Sequence, residues 1–203
     1  MTRIVAGTAG GRTLQVPPRG TRPTSDRARE AIFSRLEHYG VVAGARVLDL
    51  YAGTGALGLE AASRGARHVV LVEAARVAAQ VCRSNARALD LPGVEVVQDK
   101  AERYVQVPPD LPWDLVLLDP PYDLGEDALA VVLDQLARPG ALLPDAVVVV
   151  ERSTRSPAPV WPGTWELLVR KDYGEAAVYY AGPVEAEAPG SVADGSGEPA
   201  QAV

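Results

Sequence analysis

The sequence predicts an α/β domain, a mostly parallel sheet with helices on both faces. Three observations predict it. From Arg46 onward, short apolar runs alternate with helix-like stretches, the pattern of parallel strands joined by right-handed crossovers. The apolar runs are continuous, which places those strands under cover on both sides. The alternation stops at WELLVRKDYGEAAVYYAG, which reads as a hairpin turning at Lys171–Glu175 and adding an antiparallel edge.

Taken in order, residues 3–16 read as two short strands, RIVAG and RTLQV, around a glycine-rich turn from Gly7 to Gly11. Pro23 disfavours helix in the residue before it. Thr24 or Ser25 can then cap a helix whose apolar face is Ala28, Ile32 and Leu36, ending near Gly40. RVLDL follows as a strand, ALGLEAASRG as a helix and HVVLVE as a strand. ARVAAQVCRSNARALDL is a helix, VEVVQ a strand and AERYV a short helix. WDLVLLD is a strand, EDALAVVLDQLA a helix and AVVVVE a strand. The chain thus divides into residues 1–40 (hairpin, basic loop and helix), 41–182 (the sheet domain) and 183–203. That last segment is rich in Pro, Gly, Ala, Ser and Glu and is expected to be disordered.

With 203 residues and 47% apolar composition the chain can bury one sizeable core. No apolar run reaches the roughly 18 residues of a membrane span, and the N-terminus lacks the apolar stretch of a signal peptide. The single cysteine, Cys82, cannot form an internal disulfide and reads as a half-buried free thiol. Together these point to the cytoplasm. His38 and His68 lie far apart in sequence and read as surface residues, so no metal site is expected. The net charge of −6 alone argues against a nucleic-acid partner, but it is unevenly spread. Residues 1–35 carry seven arginines (Arg3, Arg12, Arg19, Arg22, Arg27, Arg29, Arg35) against Asp26 and Glu30, a local +5. The tail carries Glu185, Glu187, Asp194 and Glu198 and no basic residue. A basic arm on an acidic body can serve a polyanion, although a solvated arginine-rich surface would look the same.

The stretch VLDLYAGTGALGLE holds Gly53-Thr54-Gly55-Ala56-Leu57-Gly58, a G-x-G-x-x-G pattern between a strand and a helix. By itself it is weak evidence, since a tight strand–helix turn without ligand can look the same. Glycines let a backbone approach a ligand, and the helix beginning near Ala56 aims N–H groups at an anion. Asp49 sharpens the choice. A pyrophosphate about 5 Å from it would be repelled by roughly 3 kcal/mol at an effective dielectric of 20. S-adenosylmethionine has no phosphate; its ammonium and sulfonium are attracted, and its carboxylate can still use the helix N-terminus. Glu73, ending the second strand of the sheet, can accept both hydroxyls of a ribose, which suits NAD equally. Asp99, after the third, can accept from an adenine amino group.

The fourth strand of the sheet ends in Asp119-Pro120-Pro121-Tyr122. Two prolines hold an extended backbone with no N–H, so carbonyls near Asp119 can face outward as acceptors. An exocyclic amine on a base is a poor nucleophile, because its lone pair is delocalised into the ring. Acceptors on its N–H groups, from the Asp119 carboxylate and the Pro120 carbonyl, favour a pyramidal nitrogen and stabilise the charge it develops. Tyr122 can stack on the base, worth about 1–3 kcal/mol. Holding the amine in line with the S–CH₃ bond would supply most of the acceleration.

LDLYAGTGALG followed by LLDPPY resembles the class I, Rossmann-like S-adenosylmethionine-dependent methyltransferases that act on amines. IVAGTAGGRTLQVP and RPTSDRAREAIFSRL are similar to the start of the RsmD family, the 16S rRNA guanine-N2 methyltransferases. The match runs from about Arg3 to Gly182. The resemblance implies a seven-stranded, mostly parallel sheet with an antiparallel last strand, preceded by the N-terminal hairpin and helix. It implies methylation of the N2 amine of one guanine in small-subunit rRNA. Asp49, Gly53 and Gly55 would lie on the methionine part of the cofactor, Glu73 on the ribose and Asp99 on the adenine. Tyr51, Ala52, Thr54, Ala74 and Lys100 would complete those contacts, with Asp119 between cofactor and base. Asp119, Pro120, Pro121 and Tyr122 would hold the target base. Arg12, Arg22, Thr24, Asp26, Arg27 and Arg29 would form a cover that touches cofactor and RNA. A monomer is expected, acting on 16S rRNA or on an assembling small subunit. The acidic tail is an addition to the family pattern, and the net negative charge departs from what an RNA enzyme usually carries, which points to a protein-bound assembly particle as an alternative to naked RNA.

Other functions fit the residues less well. A DNA amino-methyltransferase extrudes its base and normally needs a sizeable recognition domain; only about 45 residues precede this sheet. An unpaired RNA loop already splays its bases, so a small arm can suffice. A protein or small-molecule methyltransferase leaves the basic arm without purpose. An NAD-dependent oxidoreductase conflicts with Asp49, and a non-catalytic RNA-binding relic conflicts with intact Asp119 and Tyr122.

Overall fold

In the computed structural model the described residues are 2–16 and 25–184; Arg22, Thr24 and nearly all of the acidic tail lie outside them. Seven strands form the main sheet: β3 (Arg46–Leu50), β4 (His68–Val72), β5 (Val94–Val97), β6 (Trp113–Leu118), β7 (Leu142–Ser153), β8 (Trp165–Tyr173) and β9 (Ala176–Pro183). Their order is β5-β4-β3-β6-β7-β9-β8. The first five are parallel, and β9 runs antiparallel to both β7 and β8. The expected hairpin is present, its strands separated by Gly174 and Glu175. Its second strand is not at the edge, however: β9 inserts beside β7, and β8 forms the border. The burial patterns explain this. Residues 177–182 of β9 are buried throughout, whereas β8 is largely exposed. The more apolar strand takes the interior place.

Continuous apolar strands pack helices on each side. One face, including Val47, Val69, Leu71, Leu115 and Val149, meets α1 (Asp26–His38), α2 (Ala56–Ser63) and α3 (Arg76–Leu89). The other, including Leu48, Val70, Val116 and Val150, meets α4 (Ala101–Tyr104) and α5 (Glu126–Leu136). Ser25 caps α1, its hydroxyl accepting from the Ala28 amide at 3.1 Å, and Ala28, Ile32 and Leu36 are buried as the spacing predicts. Cys82 is fully buried, not half-buried, because it sits on the inner face of α3 beneath the glycine loop. Among the described residues no helix is long and apolar enough to cross a membrane, and no group of three His, Cys, Asp or Glu could hold a metal.

The N-terminal strands are shorter than expected: β1 is Thr2–Arg3 and β2 is Thr13–Leu14. The reason lies in α2. The buried Glu60 carboxylate accepts from the amides of Val5 (2.7 Å) and Ala6 (2.9 Å). Ser63 donates its hydroxyl to the Ala6 carbonyl and accepts from the Ala9 amide. Side chains of a helix thus satisfy backbone groups that a longer ladder would have paired.

Candidate active site at the carboxyl edge of the sheet

The register of the sheet sets the site. Leu50 is level with Val72 and with Leu118, and Val72 is level with Val97. Four strands therefore end in one row, each followed within two residues by an expected site residue. With strands about 4.8 Å apart, the row from β5 to β6 spans about 14 Å. At its centre the chain order reverses: β4 lies to one side of β3 and β6 to the other. Such a switch point opens a crevice above the strand ends.

The loop after β3 is tightly specified. Tyr51 has φ 63°, a left-handed conformation unusual for a non-glycine residue, and its hydroxyl donates to Glu102 on α4 at 3.0 Å. Gly55 has φ 82°, and a Cβ there would come within 2.9 Å of Cys82 Sγ. At Gly58 a Cβ would lie 2.1 Å from Leu71 Cδ2 and 3.0 Å from Asp49 Oδ2. So Gly55 serves the turn, and Gly58 lets α2 rest on β4. The N-cap residue of α2, Gly55, has no side chain to cap it, and the first turn of α2 carries no acid of its own, so one carboxylate, that of Asp49 on β3, meets its amides, at Gly58.

The acids are arranged less uniformly than the sequence suggested. Asp49 is only 1% exposed; it lies beneath the loop and accepts from the Gly58 amide at 2.8 Å. Burial pushes its carboxyl up to about 7, the Gly58 hydrogen bond opposes this, and nearby Glu73 adds to it. Asp49 therefore holds the first turn of α2 from beneath and has almost no exposed surface. Glu73 accepts from the Gly53 amide at 2.8 Å and from the Ala75 amide at 2.6 Å, locking the loop to the start of α3. Asp99 accepts from the Lys100 amide and from Arg103, and the latter bond holds its carboxyl below the usual range. Ala52 is tied to β4 through Val72, and Thr54 is buried.

On the other side of the loop, Asp119 is partly buried, Pro120 buried and Pro121 exposed. Tyr122 exposes 60% of its surface. The Pro121 carbonyl accepts from the Leu124 amide at 3.0 Å and closes a turn. Arg152, buried at the end of β7, donates to the Leu124 carbonyl (3.0 Å) and to Glu126 (2.6 Å), pinning this turn to the sheet.

The expected cover needs correction. Arg29 has no exposed surface. Its guanidinium pairs with Asp26 (2.7 Å) and Glu60 (3.5 Å) and donates to the Arg3 carbonyl, so it cannot reach RNA. Asp26 is shared between Arg29 and Arg3. Arg12 donates to the carbonyls of Leu89 and Ala88 at the C-terminus of α3. Arg27 is exposed. The arginines that look alike in sequence thus divide into a buried clamp, a helix cap and a surface residue.

Sequence reasoning missed Glu60, Asn85 and Arg152. Glu60 is a lone polar residue in an apolar stretch, a signal that marks burial but not its partner, whereas Asn85 and Arg152 stand among other polar residues and carry no such signal. A cavity of about 900 Å³ also went unpredicted. It lies away from the glycine loop, bordered by Arg46, His68, Tyr104, Trp113 and Leu136, where the four-residue α4 covers little of the sheet. His68 is only partly exposed there and stacks on Trp113, not free on the surface as expected.

The chain is similar to known proteins over most of its length. Residues 2–182 match the model of the family described as conserved hypothetical protein 95. The chain belongs to that family. It is 36% identical over 176 residues to ribosomal RNA small subunit methyltransferase D of Escherichia coli strain K12, covering 86% of each protein. It is 34% identical to the protein of the same name from Haemophilus influenzae, covering 85% of this chain and 89% of that one. Among solved structures, a hypothetical protein of Thermus thermophilus superposes with a TM-score of 0.74 at 31% identity, over 89% of this chain and 98% of that chain. Family membership extends across the arm, the glycine loop and the Asp119–Tyr122 turn, since all lie within the matched residues.

Proposed function

We propose that the chain transfers a methyl group from S-adenosylmethionine to the exocyclic N2 amine of a guanine in 16S rRNA. The observation that carries this reading is the single row of strand ends. It sets the Asp119-Pro120-Pro121-Tyr122 turn one strand spacing, about 5 Å, from the glycine loop. The names of the relatives support rRNA as the substrate class.

The residues present fit the cofactor. At the N-terminus of α2, Asp49 takes the Gly58 amide from beneath, and the amides ahead of Gly58 suit a carboxylate. Asp49, Glu73 and Asp99 suit a cationic, phosphate-free ligand with ribose hydroxyls and an adenine amine. When bound, the cofactor supplies a methyl group on a positively charged sulfur. Glu73, already fixed by two backbone amides, has lone pairs left for two hydroxyls. Tyr51, Ala52, Gly53, Thr54 and Gly55 shape the floor, with Ala74 and Lys100 at the rim.

Toward the base, Asp119 and the Pro120 carbonyl accept from the amine N–H groups and stabilise positive charge developing on its nitrogen. As the N–CH₃ bond formed and the S–CH₃ bond broke, S-adenosylhomocysteine would leave as a neutral thioether and the amine proton would pass to Asp119 or to solvent. The exposed Tyr122 ring offers a stacking face for the guanine. Arg152 keeps the turn in place through Leu124. Arg27, together with Arg19 and Arg22 outside the described residues, supplies phosphate contacts. An assembling small subunit, with its own basic proteins, is the better substrate for a chain of net charge −6.

The test is transfer of labelled methyl to small subunits from cells lacking the protein, with the modified base then mapped. A label on one guanine N2 is the expected result; a label on protein, on adenine, or nowhere would overturn it.

A further inference from the structure

One buried side chain on α3 touches both the glycine loop and the N-terminal arm. Asn85 is 2% exposed. Its amide nitrogen donates to the Thr54 carbonyl at 2.9 Å, inside the G-x-G loop. The same nitrogen donates to the Gln15 carbonyl at 3.0 Å, and its oxygen accepts from the Gln15 amide at 2.8 Å. Asn85 thus pairs with Gln15 at both backbone groups, as a neighbouring strand would, while holding the loop with its remaining hydrogen. No other residue type offers this set. Aspartate lacks both donors, serine has one, and glutamine is a methylene too long.

Gln15 lies two residues before the segment 17–24 that carries Arg19, Arg22 and Thr24. We infer that Asn85 is a positioning residue that couples the cofactor loop to the N-terminal arm at Gln15, so that a ligand bound at one favours binding at the other. This rests on the methyltransferase reading above and adds a regulatory link between its two ligands. Any change in the Thr54 carbonyl position is passed to Gln15 through one rigid amide, and the reverse holds equally. Such coupling is reciprocal.

The test compares Asn85→Asp with Ser63→Ala. Ser63 also holds the arm, through Ala6 and Ala9, but touches no part of the glycine loop. Hydrogen exchange is measured first, without ligand. Asn85→Asp should raise exchange at residues 52–56 and 15–16 together; Ser63→Ala should raise it at residues 6–9 alone. Affinity for S-adenosylhomocysteine is then measured with and without small subunits. Wild type and Ser63→Ala should bind it more tightly when subunits are present. Asn85→Asp should bind at least tenfold more weakly and lose that enhancement.

Unchanged exchange in the loop of Asn85→Asp would overturn the inference whatever the ligand. So would an enhancement equal to wild type in that variant. If loop and arm exchange rise together but wild type binds no S-adenosylhomocysteine, the tie stands and the choice of cofactor falls.

Discussion

Asp49 is a carboxyl group buried under the glycine loop, and its burial has a pH signature. An unfolded aspartate titrates near about 3.9; here burial lifts the group to about 7. Between those values the folded state keeps a proton that the unfolded state has lost, so stability contributed by this site falls as pH rises. Above about 7 the loss is complete. Asn in its place can still accept from the Gly58 amide. Asp49→Asn should therefore gain stability relative to wild type as pH is raised from about 4 to 8, measured by urea unfolding. The same substitution should weaken cofactor binding at about pH 8, where most of the wild-type carboxyl is charged; unaltered binding there would remove Asp49 from cofactor recognition. Asp119 makes the opposite kind of contribution. Asp119→Ala should keep cofactor affinity and lower turnover by at least about 10²-fold, the scale seen when one preorganised polar contact to a transition state is removed. Unchanged turnover would eliminate its role at the amine.

At the scale of elements, α2 is the hub. Its first turn follows the glycine loop directly and is held by Asp49, and its later residues grip the arm. Glu60 accepts from two arm amides and pairs with Arg64 at 2.8 Å and Arg29 at 3.5 Å, all within the interior. Arg64 reaches on to Glu30 and Glu37 of α1. Breaking a buried pair leaves uncompensated charge and orphaned amides. Glu60→Ala should cost about 3–5 kcal/mol in denaturant unfolding. Amide protection at Val5 and Ala6 should go with it. A loss below about 1 kcal/mol would show that the network is solvated and not structural.

For the whole molecule the question is how a chain of net charge −6 meets RNA. Of the arginines expected to do so, Arg29 is buried and Arg12 caps a helix. The phosphate contacts then fall to few residues, and the salt dependence should be modest but real. Log affinity for small subunits should fall linearly with log salt, with a slope of magnitude about 2–3 for the three arginines 19, 22 and 27. A flat dependence would remove the arm from phosphate binding. A slope two or three times steeper would mean that other basic residues take part.

The sequence by itself determined the order of elements, the sheet with its antiparallel strand, a helix cap at Thr24 or Ser25 and the chemistry-bearing motifs. These follow from local rules: hydrophobic period, glycine and proline punctuation, and residues fixed to strand ends by chain connectivity. Only the tertiary structure decided that β9 enters the sheet ahead of β8, because that choice compares the burial of whole strands. The same holds for the arginines. Arg27 and Arg29 are two residues apart and chemically identical, yet one faces solvent and the other Glu60, thirty-one positions later in the chain. Local sequence carries no record of what a side chain will meet across the core. That is why the buried links Asn85–Thr54, Glu60–Arg29 and Arg152–Leu124 emerged only once the chain was folded.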